Sequence, residues 1–242
     1  MDIVDHIVAW MEEYLWGAGA DGFVIGLSGG VDSATAAALA VRAVGADRVL
    51  GVLLPCHSIP EDAVLGQQVA DTFFIRAVTA DLTATFDSLM VALPPSEHHL
   101  AMANIKPRLR MTALYYLAQS NNYLVLGSGN KTEIAVGYAT KYGDTGVDLF
   151  PLGELYKTQV WELARELGVP QEVVDRPPSG GLWPGQTDEV EMGITYAELD
   201  RVLIAIVAGD VSEIAPATLD KVRGMVARAA HKRSAPPICL LS

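Results

Sequence analysis

Apolar residues follow two rhythms along this chain. Short apolar runs, FVIGL at 23–27, RVLGVLLP at 48–55, FIRAVTA at 74–80 and YLVLGSG at 123–129, alternate with longer stretches of helical period. Runs of this length between Gly and Pro breaks predict strands buried on both faces. The intervening helices are predicted over the alanine-rich 33–44, ended by Gly45, over 61–73, and over 82–91 before Pro94-Pro95. A further helix is expected over 98–119, interrupted or kinked near Pro107, where the ring removes an internal hydrogen bond. At the N-terminus Ile3, Ile7, Trp10, Met11 and Tyr14 share one helical face, with Asp2 and Asp5 near the positive end of the dipole. After residue 150 only helices are expected: KTQVWELARELG, YAELDRVLIAIVAG and APATLDKVRGMVARAAHK. The fold class is therefore α/β, a Rossmann-like doubly wound parallel sheet flanked by helices with extra C-terminal helices. In such sheets ligands bind at the carboxyl ends of the strands.

Composition narrows the setting. The 242 residues suit one domain, 1–242, whose core needs no covalent staples. Half of the residues are hydrophobic, yet no run approaches the ~20 that cross a bilayer and no basic leader opens the chain, so a cytoplasmic protein is expected, with no membrane partner. Cys56 and Cys239 stand far apart, outside any metal-ligand spacing, and read as idle thiols. A net charge of -12 with scattered basic residues disfavours nucleic acid. A small anion can still bind where local dipoles and a metal outweigh the global field.

The candidate for such a place is GLSGGVDS, Gly26 to Ser33, between the first strand and the following helix. Its glycines bare backbone N–H groups at a helix N-terminus, and Ser28 and Ser33 add hydroxyls, the makings of an anion site. Asp32 beside phosphates would repel them unless a divalent cation bridged the two, so Mg²⁺ is expected. No Lys follows the glycines, as a Walker loop requires, and the spacing is wrong for GxGxxG. A plainly capped helix start is the bland alternative.

SGGVDS resembles the pyrophosphate loop of the ATP pyrophosphatases, which cleave ATP to AMP and pyrophosphate while activating a carboxyl or carbonyl group. Four further stretches, NIKPRLRM (104–111), GSGNKTEIAVGYATKYGDTGVD (127–148), PLGELYKTQ (151–159) and RPPSGGLWPGQTDE (176–189), together with the C-terminal HKRSAPP, are similar to the ammonia-dependent NAD synthetase family. The resemblance implies a reaction in which the nicotinate carboxylate of deamido-NAD attacks the α-phosphorus of ATP and ammonia then displaces AMP. It implies ATP contacts from Gly26, Leu27, Ser28, Gly29, Gly30, Val31, Asp32, Ser33, Ser128, Lys157 and Ser179, the last standing where relatives carry Thr. It implies a Mg²⁺ site at Asp32 and Glu133, and deamido-NAD contacts from Asn104, Arg108, Lys141, Asp144, Asp148, His231 and Lys232.

Chemistry alone permits these assignments but leaves plainer roles open, an exposed polar helix face for Asn104 and Arg108 and a surface salt bridge for Glu133. Asn104 and Arg108, four apart, share a helix face. Glu133 follows the fourth strand, at the sheet edge that carries the phosphate turn. Lys157 begins a helix, a poor place for a cation without an anionic partner. The resemblance puts Asp144 and Asp148 near the reacting carboxyl, where one of them is expected to hold ammonium and take its proton, with substrate orientation as the competing role. The loop around Trp183 is expected to cover the adenylate against water. The family's glutamine-dependent members carry an amide-hydrolysing domain for which this chain has no room, so ammonia, free or from a separate glutaminase, is the expected nitrogen source. The resemblance also implies a homodimer. The rivals are another amidating or thiolating ATP pyrophosphatase and a nucleotide-binding module without catalysis.

Overall fold

A computed structural model describes residues 2–183 and 185–241. Pro184, within the LWPGQTDE stretch, lies outside the described residues. The chain runs α1 (Ile3–Ala18), β1 (Gly22–Gly26), α2 (Val31–Val44), β2 (Val49–Leu53), α3 (Pro60–Thr72), β3 (Arg76–Thr79), α4 (Thr83–Ala92), α5 (His99–Ala103), α6 (Ile105–Asn121) and β4 (Tyr123–Val125). It continues through α7 (Lys131–Val136), α8 (Lys157–Glu166), α9 (Gln171–Asp175), α10 (Asp188–Met192), α11 (Tyr196–Ala208) and α12 (Pro216–Arg228).

The four strands pair in parallel in the order β3-β2-β1-β4. The chain winds outward from β1 through β2 to β3, then crosses back to place β4 on the other side of β1. Winding reverses between β1 and β4, which opens a crevice outside their carboxyl ends. The strand period of two sends Phe23 and Ile25 to one face and Val24 to the other. The first face is covered by α1, α2 and α8, where Ala36, Ala37 and Ala40 let the helices approach closely, and the second by Leu114, Leu117 and Ala118 of α6. A separate apolar cluster of α11 and α12, including Leu199, Val202 and Val222, meets the first through Trp161. Among the described residues no helix is long and apolar enough to cross a membrane.

Three expectations need correction. The buried stripe of α1 is Val4, Ile7, Met11 and Leu15, whereas Ile3, Trp10 and Tyr14 stay exposed one stripe away. The interruption expected near Pro107 falls at Asn104, and Pro107 does not cause it, since the ring lies in the first turn of α6, where its missing N–H has no helical acceptor anyway. The third strand is shorter than its apolar run because Phe74 takes a left-handed φ of 57° and lies outside the sheet.

Candidate active site

The phosphate turn grows directly out of β1. Leu27 N–H still donates to the Val52 carbonyl at 2.9 Å, continuing the sheet, and the Leu27 and Val31 side chains are buried, so these two residues offer a ligand only main chain. Between them the chain folds into a cup. Ser28 Oγ lies 2.9 Å from Ser33 Oγ, Gly30 N–H donates to Ser28 Oγ at 3.2 Å, and Ser33 Oγ donates to the Gly30 carbonyl at 3.0 Å. Gly29 has φ +74°, and an added Cβ would lie 2.8 Å from the Asp62 carbonyl oxygen and 2.9 Å from Leu65 Cβ, so only glycine fits. Gly30 is the N-cap of the 14-residue α2, whose positive dipole end faces the cup.

Beside the cup lies a buried charge cluster. Lys157, at the first position of α8, is 1% exposed, and its ammonium donates to Asp32 Oδ2 and, at 3.3 Å, to Glu133 Oε1. Asn130 donates to Asp32 Oδ1 at 2.8 Å and also caps α7, accepting from Glu133 N–H at 3.0 Å, so α2 and α7 are tied by one buried amide. Tyr196 OH lies 3.2 Å from Glu133 Oε1 and 2.9 Å from Asp188 Oδ2. Its ring, with that of Trp161, flanks the ammonium at 4.9 and 5.7 Å. Thr132 Oγ1 accepts from Lys157 N–H at 3.0 Å and donates to Asp200, which also accepts from Thr158 N–H at 2.9 Å. The start of α8 is thereby fixed from two sides.

The electrostatics follow from burial. Desolvation and the neighbouring Asp32 push the Glu133 carboxyl up from 4.5 to about 7, although Lys157 opposes them. Burial pulls the Lys157 ammonium down, but Asp32 and Glu133 more than offset it, and its pKa lies above the ordinary lysine value. Asp188 is raised mainly by burial, and its Oδ1 is a buried side-chain oxygen without a hydrogen-bond partner. Two carboxylates thus share one ammonium, and Asp188 stands close enough to feel the same charge. No three Asp, Glu, His or Cys side chains among the described residues are grouped to hold a metal alone. Two carboxylates with surplus negative charge do fit Mg²⁺, which commonly takes one or two carboxylates and completes its shell with phosphate oxygens and water.

The other expected residues gather on a second wall, the loop at 137–148. Asn104 Oδ1 accepts from Thr140 Oγ1 at 2.6 Å, and Arg108 donates to the carbonyls of Lys141 and Asn104, each at 3.3 Å. Pro107 packs on Gly143, where an added Cβ would lie 2.9 Å from the proline Cβ. Both oxygens of Asp144 accept from Thr140 N–H, at 3.0 and 3.1 Å, while the residue as a whole stays exposed. Asp148 has a different setting: Oδ1 accepts from Tyr115 OH at 3.0 Å and Oδ2 from Val125 N–H at 2.7 Å, which binds it into the end of β4. Lys141 donates to the His231 carbonyl at 2.7 Å, and Lys232 donates to the carbonyls of Gly137 and Ala139, each at 2.6 Å. Lys232 therefore caps α7 and the loop behind it, while His231 takes part through its main-chain carbonyl.

A cavity of about 70 Å³ joins the two walls, lined by Ser128, Glu133, Tyr138 and Asp144 among others. The larger apolar groove, about 470 Å³ between α7, α11 and α12, contains none of the expected site residues. Over the site run residues 176–183 and 185–187, seated by Lys106 Nζ on the Leu182 carbonyl at 2.7 Å and by Trp183 edge-on to His99 at 5.0 Å between centroids. Ser179 faces solvent and accepts from Gly181 N–H at 3.1 Å.

Sequence reasoning missed four residues of the cluster. Asn130 was findable, since Asn130 and Glu133 form the N-x-x-E signature of a capping box. Asp188 sits inside the quoted GQTDE. Tyr196 and Asp200 carry no local sign of their roles, being one helical turn apart on an ordinary amphipathic helix.

The model of the NAD synthase family matches residues 3–236 of the chain. The NH(3)-dependent NAD(+) synthetase of Syntrophomonas wolfei is 47% identical over 246 residues, which cover 99% of this chain and 96% of that protein. Among solved structures, the NMN synthetase of Francisella tularensis superposes with a TM-score of 0.91 at 34% identity, covering 99% of this chain and 98% of that one. The NH3-dependent NAD synthetase of Campylobacter jejuni gives 0.85 at 25% identity, covering 99% and 100%.

Proposed function

The chain belongs to the NAD synthase family, and from that premise we propose which of its groups carry the reaction. The activity is ATP-dependent amidation of deamido-NAD with ammonia, giving NAD, AMP and pyrophosphate. The carrying observation is the buried ammonium of Lys157, held between Asp32 and Glu133 at the rim of a cup of backbone and hydroxyl donors.

The chemistry has two steps. The nicotinate carboxylate attacks the α-phosphorus, and the bond from that phosphorus to the pyrophosphate oxygen breaks. Ammonia then adds to the acyl carbon of the mixed anhydride, and AMP leaves with the carbon–oxygen bond pair. Neither step needs a protein nucleophile, so the chain positions reactants and stabilises charge. The Ser28–Ser33 turn binds the triphosphate, and Lys157 turns from its carboxylates to a phosphate oxygen as negative charge develops there. Asp32 and Glu133 hold Mg²⁺, which when bound neutralises phosphate charge. Ser128 and Ser179 add hydroxyls on either side of the triphosphate.

Asn104, Arg108, Lys141 and the 231–232 pair shape the deamido-NAD wall. Asp144, in the small cavity with Glu133, attracts ammonium and accepts its proton as the nitrogen attacks. Asp148, with one oxygen engaged by Tyr115 of α6 and the other by Val125 of β4, supports that wall from behind. The segment carrying Trp183 excludes water from the adenylate. A homodimer, and a separate glutaminase supplying ammonia, complete the proposal.

The test is incubation with deamido-NAD, ATP, Mg²⁺ and ammonium, reading NAD, AMP and pyrophosphate in equal amounts. Because the Francisella relative makes NMN, the carboxylate precursor of NMN runs in parallel. A higher kcat/KM on that mononucleotide moves the acceptor from dinucleotide to mononucleotide while leaving the phosphate chemistry intact. No turnover with either, despite ATP binding, reduces the protein to a nucleotide-binding module.

A further inference from the structure

Arg176, at the start of the covering segment, has been given no part in the reaction. Its side chain is 19% exposed and reaches two places: Oδ1 of Asp62 at 2.5 Å and the carbonyl oxygen of Gly29 at 3.4 Å. Asp62 lies in the first turn of α3, whose backbone also closes the space around Gly29. Gly181, further along the covering segment, passes above the same carboxylate, since its Cβ would stand 3.9 Å from Asp62 Oδ2. One guanidinium therefore joins three parts of the molecule: the covering segment, α3 and the phosphate turn.

The contact with Gly29 bears on chemistry because a peptide unit is planar. Its carbonyl and its N–H point in opposite directions, so fixing one fixes the other. With the Gly29 carbonyl drawn outward to Arg176, the Gly30 N–H is aimed inward, where it meets Ser28 Oγ at 3.2 Å. Gly29 and Gly30 lack side chains that would resist a flip of this peptide, and a flipped unit would present a carbonyl oxygen to the phosphates.

We propose that Arg176 is a positioning residue for the triphosphate: it locks the Gly29–Gly30 peptide with its N–H facing the anion, and Asp62 holds the guanidinium in place. Seating of the covering segment and readiness of the phosphate turn are thereby one event. The inference rests on the reading of residues 28–33 as the ATP site.

The variants are Arg176→Met, Arg176→Lys, Asp62→Asn and the double variant Arg176→Met/Asp62→Asn. Each is measured for ATP–Mg²⁺ affinity by calorimetry, for KM of each substrate, and for Tm. Loss of a charge-assisted contact that orders a ligand-binding amide predicts ATP Kd and KM about tenfold or more higher in Arg176→Met, with the KM for ammonium within about twofold. Arg176→Lys recovers part of the effect, since an ammonium reaches Asp62 without the planar fork that also spans to Gly29. Asp62→Asn weakens ATP binding less and adds little in the double variant. Unchanged ATP affinity in Arg176→Met overturns the proposal, as does an equal rise in every KM that tracks a fall in Tm. If the unaltered protein itself fails to bind ATP–Mg²⁺, the reading of the phosphate turn falls and this inference with it, an outcome distinct from loss in the variants alone.

Discussion

The two walls of the crevice are built on different physics. Around Lys157 the side chains are buried, and the partners are other side chains: Asp32, Glu133, Asn130 and Tyr196 satisfy one another across α2, α7, α8 and α11. Around Asp144 the cations are fastened to main-chain carbonyls: Arg108 to Lys141 and Asn104, Lys141 to His231, Lys232 to Gly137 and Ala139. The first wall concentrates charge where water is excluded and interactions are strong. The second shapes a loop that must fit a large ligand. A change in the first should therefore damage catalysis and stability together, whereas in the second the two effects should separate by residue.

The largest expected effect is at Lys157. Lys157→Met removes the ammonium shared by two carboxylates that are 17% and 16% exposed, leaving like charges facing one another. In metal-free buffer it should cost about 3 kcal/mol of stability, the usual penalty for breaking a buried pair, and kcat should fall about a thousandfold. Urea unfolding with and without Mg²⁺ sharpens the comparison. If Mg²⁺ restores stability but not activity, the carboxylates hold the metal and the lysine serves phosphate. If the variant is as stable as the parent without metal, the first wall carries no surplus negative charge for the ammonium to offset.

Next come the two aspartates of the second wall, which one loop places in opposite settings. Asp144→Asn should lower amidation of a preformed adenylate about a hundredfold or more with little change in Tm, the range for removal of a general base. Asp148→Asn should do the reverse. It replaces an acceptor of Val125 N–H and Tyr115 OH, at about 1.5–3 kcal/mol for hydrogen bonds to a charged group, and leaves the amidation rate nearly intact. Rapid-quench turnover and thermal melts on both variants check this. Equal loss of amidation in the two would show that the loop acts as one unit.

The same contrast explains what could be read from the chain before its structure. The phosphate turn is local: GLSGGVDS holds its glycines, hydroxyls and Asp32 within eight residues, and the strand before it and helix after it follow from period alone. The sheet was legible for a related reason, because the central β1 and β2, buried on both faces, leave continuous apolar runs, whereas β3 at the edge has no buried residue. The charge cluster was half legible. Asp32, Glu133, Lys157 and Asp188 lie in motifs, but Tyr196 and Asp200 join them only through the packing of α11 against α7 and α8. The second wall was least legible, since Asp144 and Asp148 have the same chemistry in sequence and differ in which N–H and O–H groups reach them, Thr140 N–H for the first and Val125 N–H with Tyr115 OH for the second. Pro107 misled for a similar reason: its effect on a helix depends on how far it stands from the N-terminus, and that was set by the break at Asn104.

A smaller effect, with a definite sign, is expected from Glu133. Its folded-state value is raised from 4.5 to about 7, so the folded protein holds a proton that the unfolded chain has released. In metal-free buffer this group's contribution to stability is greatest below about pH 4.5 and declines as pH rises through 7. Glu133→Gln lacks the titration. Its stability relative to the parent should therefore rise between pH 5 and 8, by about 1–3 kcal/mol, while Mg²⁺-dependent activity is lost. Paired urea titrations across that range give the slope. A flat difference would mean that Lys157 neutralises Glu133 fully and that the cluster carries no surplus charge for a metal.

The smallest effect tests the second wall from its far end. Lys232 reaches across from the C-terminal turn to two carbonyls, those of Gly137 and Ala139, where α7 hands over to the loop bearing Lys141 and Asp144. Lys232→Met keeps the packing of the stem but removes both donors, at about 1 kcal/mol. If the basic residue serves the loop, KM for deamido-NAD should rise a few-fold, KM for ATP should stay unchanged, and Tm should drop by a few degrees. If it touches the dinucleotide directly, the rise in KM should exceed what the change in Tm can explain, and Lys232→Arg should recover binding by restoring the charge. The ratio of those two responses decides whether the wall is held by the chain's own carbonyls or completed by the substrate.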